Sequence, residues 1–103
     1  MQAYQVNVTA AGKALLAGDA KGGGGEYRIK NTHASVALLL GGDENETPSG
    51  APAATLSAST GYSVAAGAEF TARVNGGEAL YGLSSNSTVS ITAHVLRISR
   101  QVR

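Results

Sequence analysis

Two histidines, seven carboxylates, eight Lys and Arg, four tyrosines and no cysteine are what this 103-residue chain offers for chemistry. Without cysteine there is no disulfide framework, no thiolate metal site and no Cys nucleophile. His33 falls in a turn and His94 in the last strand, and neither has a second ligand at metal-binding spacing. A solvent-facing polar role is the expectation for both. Ser and Thr are abundant, but no Gly-x-Ser-x-Gly elbow occurs. The four glycines 22–25 lack the Lys-Ser/Thr of a phosphate loop and read as a flexible connection. Asp43-Glu44-Asn45-Glu46 is the densest acidic run. Its oxygens could hold calcium, yet the spacing is not that of an EF-hand, so a solvated loop tip is expected. No motif selects a pair of carboxylates for acid–base work, and no metal or cofactor is implied.

What remains suits contact with other proteins. Tyr81 is the expected surface aromatic, with Tyr27 and Tyr62 expected in the core. Arg97, Arg100 and Arg103 form the one cationic cluster, able to pair with carboxylates on a partner. Tyr4, the acidic residues Asp43, Glu44 and Glu46, Tyr81 and the three arginines are therefore the candidate partner contacts. A net charge of +1 disfavours nucleic acid, whose binding rests on clustered Lys and Arg. Val36–Leu40, the longest apolar run, is too short to cross a bilayer. Nothing at the N-terminus reads as a secretory signal, so the expectation is a soluble protein made in the cytoplasm. The triplets at Asn7, Asn45 and Asn86 then read as chance matches to a glycosylation signal.

The elements that must position these residues are strands. Period-two alternation runs through Tyr4–Val8, Glu26–Lys30, Glu69–Val74 and Thr88–Val95. Shorter apolar segments lie at Lys13–Ala17, Ser35–Leu40, Gly61–Val64 and Glu78–Leu83. Leu39 faces opposite to Val36, Leu38 and Leu40, so its strand is either central or covered by a partner. After Val95 the apolar set slips to Leu96 and Ile98, which predicts a β-bulge or a crossing between sheets. No helical stripe survives three turns; Gly12 and Gly18 break the best attempt. Seven to eight short strands separated by turn signals predict one all-β domain over 1–103. The expected architecture is an antiparallel β-sandwich, jelly-roll or Greek-key-like. A Gly-rich loop at 18–25 and a long loop at 41–59 interrupt it. Leu15, Tyr27, Ile29, Leu38, Leu40, Tyr62, Val64, Phe70 and Val74 are among the expected inward residues. With 43% hydrophobic residues but one Phe, no Trp and fourteen glycines, the core is thin. Association is a natural further source of stability.

Tyr27-Arg28-Ile29-Lys30-Asn31 followed by Val36-Ala37-Leu38-Leu39-Leu40-Gly41-Gly42-Asp43 resembles the opening of small β-sandwich virion proteins of tailed bacteriophages. Gly61–Gly67, Gly77–Leu83 and Thr88–Ile91 continue the resemblance, which spans roughly residues 26–98. Residues 44–59 depart from it by their length and their Ala, Pro, Ser and Thr. The resemblance implies a capsid decoration (cement) protein on the capsid surface. Its partners would be the major capsid protein and copies of itself, with a trimer suggested. It transfers no catalytic residue. A tail or head-fibre module that binds carbohydrate or a receptor is the alternative, and a small hydrolase comes last.

Overall fold

A computed structural model describes residues 2–10, 12–18, 23–42, 45–46, 52–53, 56–57, 61–75 and 77–100. Ten strands follow one another: β1 (Gln2–Val8), β2 (Ala14–Gly18), β3 (Gly25–Asn31), β4 (Leu38–Gly41), β5 (Asn45–Glu46), β6 (Pro52–Ala53), β7 (Tyr62–Val64), β8 (Glu69–Val74), β9 (Ala79–Ser84) and β10 (Ile91–Arg100). Among the described residues there is no helix, and so none long and apolar enough to cross a membrane.

Eight of these strands make two four-stranded antiparallel sheets, β1-β10-β3-β8 and β2-β9-β4-β7. Set aside the two-residue ribbon β5-β6, and the orders become first-eighth-third-sixth and second-seventh-fourth-fifth. That interleaving is the double Greek key of a jelly roll. The expected β-sandwich is thus present, and its jelly-roll form is fixed by strand order.

Alternation places the core. Val6 and Val8 of β1, Tyr27 and Ile29 of β3, and Ile91, Ala93 and Val95 of β10 are buried against Leu16, Leu38, Leu40 and Val64 of the other sheet. The inward rows cross the first sheet in register, as in Tyr4↔Val95↔Ile29↔Phe70. The phase slip after Val95 is a bulge: β10 loses register with β3 between Arg97 and Ser99. Leu96 precedes the bulge and sits on the outer face by alternation from Val95, paired with Ala3 and Arg28.

A second bulge, in β2, corrects the expected core. Pairing with β9 skips from Leu15↔Tyr81 to Ala17↔Leu80. Leu16, not Leu15, is therefore the fully buried residue, and Leu15 stays half-exposed. Gly82 makes the room: a Cβ there would lie 2.9 Å from Leu16 Cδ1 and 3.3 Å from Leu38 Cδ1.

Asn31 closes the end of β3. It is fully buried, and its carboxamide nitrogen donates to the carbonyls of Val36 (2.9 Å), Val64 (3.0 Å) and Ala65 (3.3 Å). Its Oδ1 accepts from the His33 amide at 3.0 Å. One side chain thus joins β3, the approach to β4 and the end of β7. This turn shortens the predicted strand Ser35–Leu40 to β4. Among the described residues every buried side-chain nitrogen and oxygen is hydrogen-bonded, as a well-formed interior requires.

Leu39 turns out to be both central and covered, but by the chain itself. β4 lies between β9 and β7, and Leu39 and Leu56 are both buried outside the main core cluster. Gly61 packs between them: a Cβ on it would lie 2.7 Å from Leu39 Cβ and 3.1 Å from Leu56 Cδ1. The expected long loop 41–59 therefore contains the β5-β6 ribbon and a buried leucine. Within the expected loop at 18–25, Gly18 and Gly25 belong to β2 and β3, while 19–22 lie outside the described residues.

Candidate functional site

The outer face of the first sheet carries a groove of about 440 Å³. It is built from the outward positions of four strands that are far apart in sequence. Register sets Gln5 (β1), His94 (β10), Lys30 (β3) and Glu69 (β8) in one cross-strand row. The next row reads Ala3, Leu96, Arg28, Thr71. Ala3 and Leu96 supply an apolar patch within a polar surround. Arg28 Nε lies 3.8 Å from Glu69 Oε2, with both side chains about half exposed. Such a pair orders the surface more than it stabilises the fold.

This groove can hold a polar or anionic group against Arg28, Lys30 and His94. Its carboxylate is committed to Arg28, and the residues directly flanking His94 are Gln5 and Lys30, so no carboxylate orients the imidazole there. A nucleophile–base–orienter constellation is not assembled there. Among the described residues no three His, Asp or Glu come together to hold a metal ion.

His33 is a structural residue. Its Nδ1 accepts the amides of Ser35 and Val36, both at 3.0 Å. That nitrogen stitches the turn leading into β4 and is occupied by the backbone.

The predicted partner contacts separate. Tyr4 is half-buried, and its hydroxyl donates to the Leu16 carbonyl, tying β1 to the opposite sheet. Burial pushes the Tyr4 phenol up to about 12, the charge of Tyr27 adds to the rise, and Arg97 opposes it. Arg97 is itself half-buried, and its Nη2 donates to Gln2 Oε1 at 3.0 Å. These two residues therefore stand together at one end of the first sheet. Tyr81 is on the other sheet, half-buried, with Lys13 Nζ 4.5 Å from its ring centroid in cation–π geometry. Glu46 and Arg100 lie in β5 and β10, but their side chains are outside the described residues, as are Asp43, Glu44 and Arg103.

Tyr62 corrects the expectation for the aromatics. The sequence pattern predicts an inward ring, yet Tyr62 is 62% exposed. Its alternation phase is inward, but β7 is an edge strand, so one flank of the ring meets solvent. It leans on Phe70 of the facing edge strand, with ring centroids 5.0 Å apart at 44°. Tyr62, rather than Tyr81, is the exposed aromatic. The groove residues Gln5, Arg28, Lys30, Glu69 and His94 carried no motif. The signal available was their outward phase, which becomes a surface only when strand order is known.

The outer face of the second sheet is different in kind. Leu15 opposes Tyr81, and Leu83 opposes Leu39, across adjacent strands. Leu15, Tyr81 and Leu83 are half-buried, so an apolar stripe continues beyond the segment that covers Leu39. The molecule is a small eight-stranded jelly roll with one polar and one apolar outer face. No family model, curated protein or solved structure matches the chain.

Proposed function

We propose that this protein is a non-enzymatic structural component of a tailed-phage virion, a decoration protein that binds the outer surface of the capsid and reinforces it. The observation that carries this reading is the apolar outer stripe of the second sheet, Leu15, Tyr81 and Leu83. Half-buried leucines and a tyrosine on a flat sheet face suit contact with another protein. The jelly-roll architecture, which recurs in viral capsid domains, and the resemblance over residues 26–98 support the same reading. Fold alone carries no function, so the weight rests on the surface. The work done is association: modest contacts with the major capsid protein, repeated by shell symmetry, add into a large stabilisation.

The test is co-sedimentation with empty shells of the major capsid protein from the same phage. Binding that is lost in Tyr81→Ser and kept in Lys30→Gln is the expected result. No binding by the folded wild-type protein overturns the proposal. A second reading, a fibre or tail module that binds carbohydrate, is favoured by the polar groove and the exposed Tyr62. It predicts glycan binding that Lys30→Gln weakens and Tyr81→Ser leaves intact.

A further inference from the structure

Among the described residues, and apart from the β5-β6 ribbon, four strands of the sandwich have a neighbour on one side only: β1 and β8 in the first sheet, β2 and β7 in the second. An open edge is a row of backbone donors and acceptors ready to pair with another chain, and proteins usually blunt it. Three of these edges are blunted. β7 has three residues. β2 has five and is bent by the bulge at Leu16. β8 carries Glu69 and Arg73 with exposed side chains.

β1 is not blunted. It has seven residues, Gln-Ala-Tyr-Gln-Val-Asn-Val, with no charge, proline or glycine. Its register with β10 runs without a shift from Gln2↔Arg97 to Val8↔Ile91. An uncharged seven-residue edge without a bulge is the kind that pairs.

We infer that β1 is a homotypic joint, pairing antiparallel with β1 of a second copy about a two-fold axis at Gln5. The strand is self-complementary in that register. Full overlap of Gln2–Val8 with itself sets Gln5 against the partner's Gln5, Ala3 against the partner's Asn7 and Tyr4 against the partner's Val6. Inward residues then oppose inward residues, as Tyr4↔Val95 and Val6↔Ala93 do within the sheet. A slip by one residue would set outward against inward and is excluded by the pleat. With no charge on the strand, no like charges meet across the axis, which favours a second copy as occupant. The two first sheets become one eight-stranded sheet, in which the row Glu69-Lys30-His94-Gln5 runs on through the axis into its symmetric copy. An isologous two-fold of this kind closes on itself and leaves the apolar stripe of the second sheet uncovered. The joint does not depend on the virion reading.

Light scattering coupled to size exclusion tests it, because Gln5 is exposed and can be changed without touching the core. The wild-type protein is expected at twice its 10.3 kDa mass. Gln5→Lys and Gln5→Glu each set like charges face to face and should run as monomers, with dissociation at least tenfold stronger. An equimolar mixture of the two should recover the dimer mass. Unchanged circular dichroism and melting of the variants at dilution show that the fold is kept. Because the chain lacks cysteine, Gln5→Cys gives a second readout: covalent dimers under mild oxidation, absent for Ala3→Cys, whose sulfur faces the partner's Asn7. A monomeric wild-type protein, a trimer, or a dimer indifferent to both charges overturns the inference.

Discussion

The two outer faces of the sandwich follow the same alternation and end in opposite conditions. On the first sheet, outward positions of the four strands are mostly charged or polar, with Ala3 and Leu96 as a small apolar spot among them. On the second, the outward positions include Leu15, Leu39, Tyr81 and Leu83, with Ser63 at the edge, and the chain folds Leu56 and Gly61 back over Leu39. The polar face is finished by water. The apolar face is finished partly by the protein's own segment, and the rest is half-open. Identical local periodicity therefore produces a solvated surface or a contact surface, according to which residues fill the outward phase.

The largest effect should come from Leu39→Ala, which empties the space beneath the covering segment. A loss of about 2–4 kcal/mol in urea unfolding is expected. Leu96→Ala, the matching deletion on the polar face, should cost about 1 kcal/mol. Equal losses would mean that the two faces are not distinct. Next comes Gly61→Ala: its methyl group would press on Leu39 and Leu56, at a cost of about 1–3 kcal/mol, without disturbing the first sheet.

Tyr4 joins the two sheets through its hydroxyl, so Tyr4→Phe should cost about 1 kcal/mol at neutral pH. The sign of its pH dependence follows from a folded-state pKa raised above 10. The fold favours the neutral phenol, so this contribution is whole below pH 10 and fades as pH rises through about 12. The gap between wild type and Tyr4→Phe should narrow over that range in alkaline unfolding curves. A gap that widened would contradict the burial of the ring. The smallest effect is Glu69→Gln on the polar face. Urea unfolding should show a stability change of no more than about 0.5 kcal/mol, because an ion pair open to water contributes little.

Much of the fold is legible in local pattern because alternation is a local property. Tyr27 and Ile29 face inward as their phase requires, and the slip at Leu96 and Ile98 announces the bulge after Arg97. The departures arise where position in the sheet, not phase, decides exposure. Tyr62 has inward phase on an edge strand. Ala14-Leu15-Leu16-Ala17 has no alternation, so nothing in it reveals which leucine the bulge will bury. Asn31 reads as a turn residue, and its role as a buried clamp depends on Val64 and Ala65, more than thirty residues away. The groove was least legible of all, since it needs the non-sequential neighbours β1, β10, β3 and β8 to be known first.

The pairing of β1 with β10 has a consequence for how the molecule comes into being. Gln2 lies opposite Arg97, so β1 is completed by β10, a strand far along the sequence. During synthesis β1 has no mate until β10 has left the ribosome. Such distant pairing makes folding slow. A chaperone that shields β1 in that interval would decide how much product reaches the two-sheet sandwich.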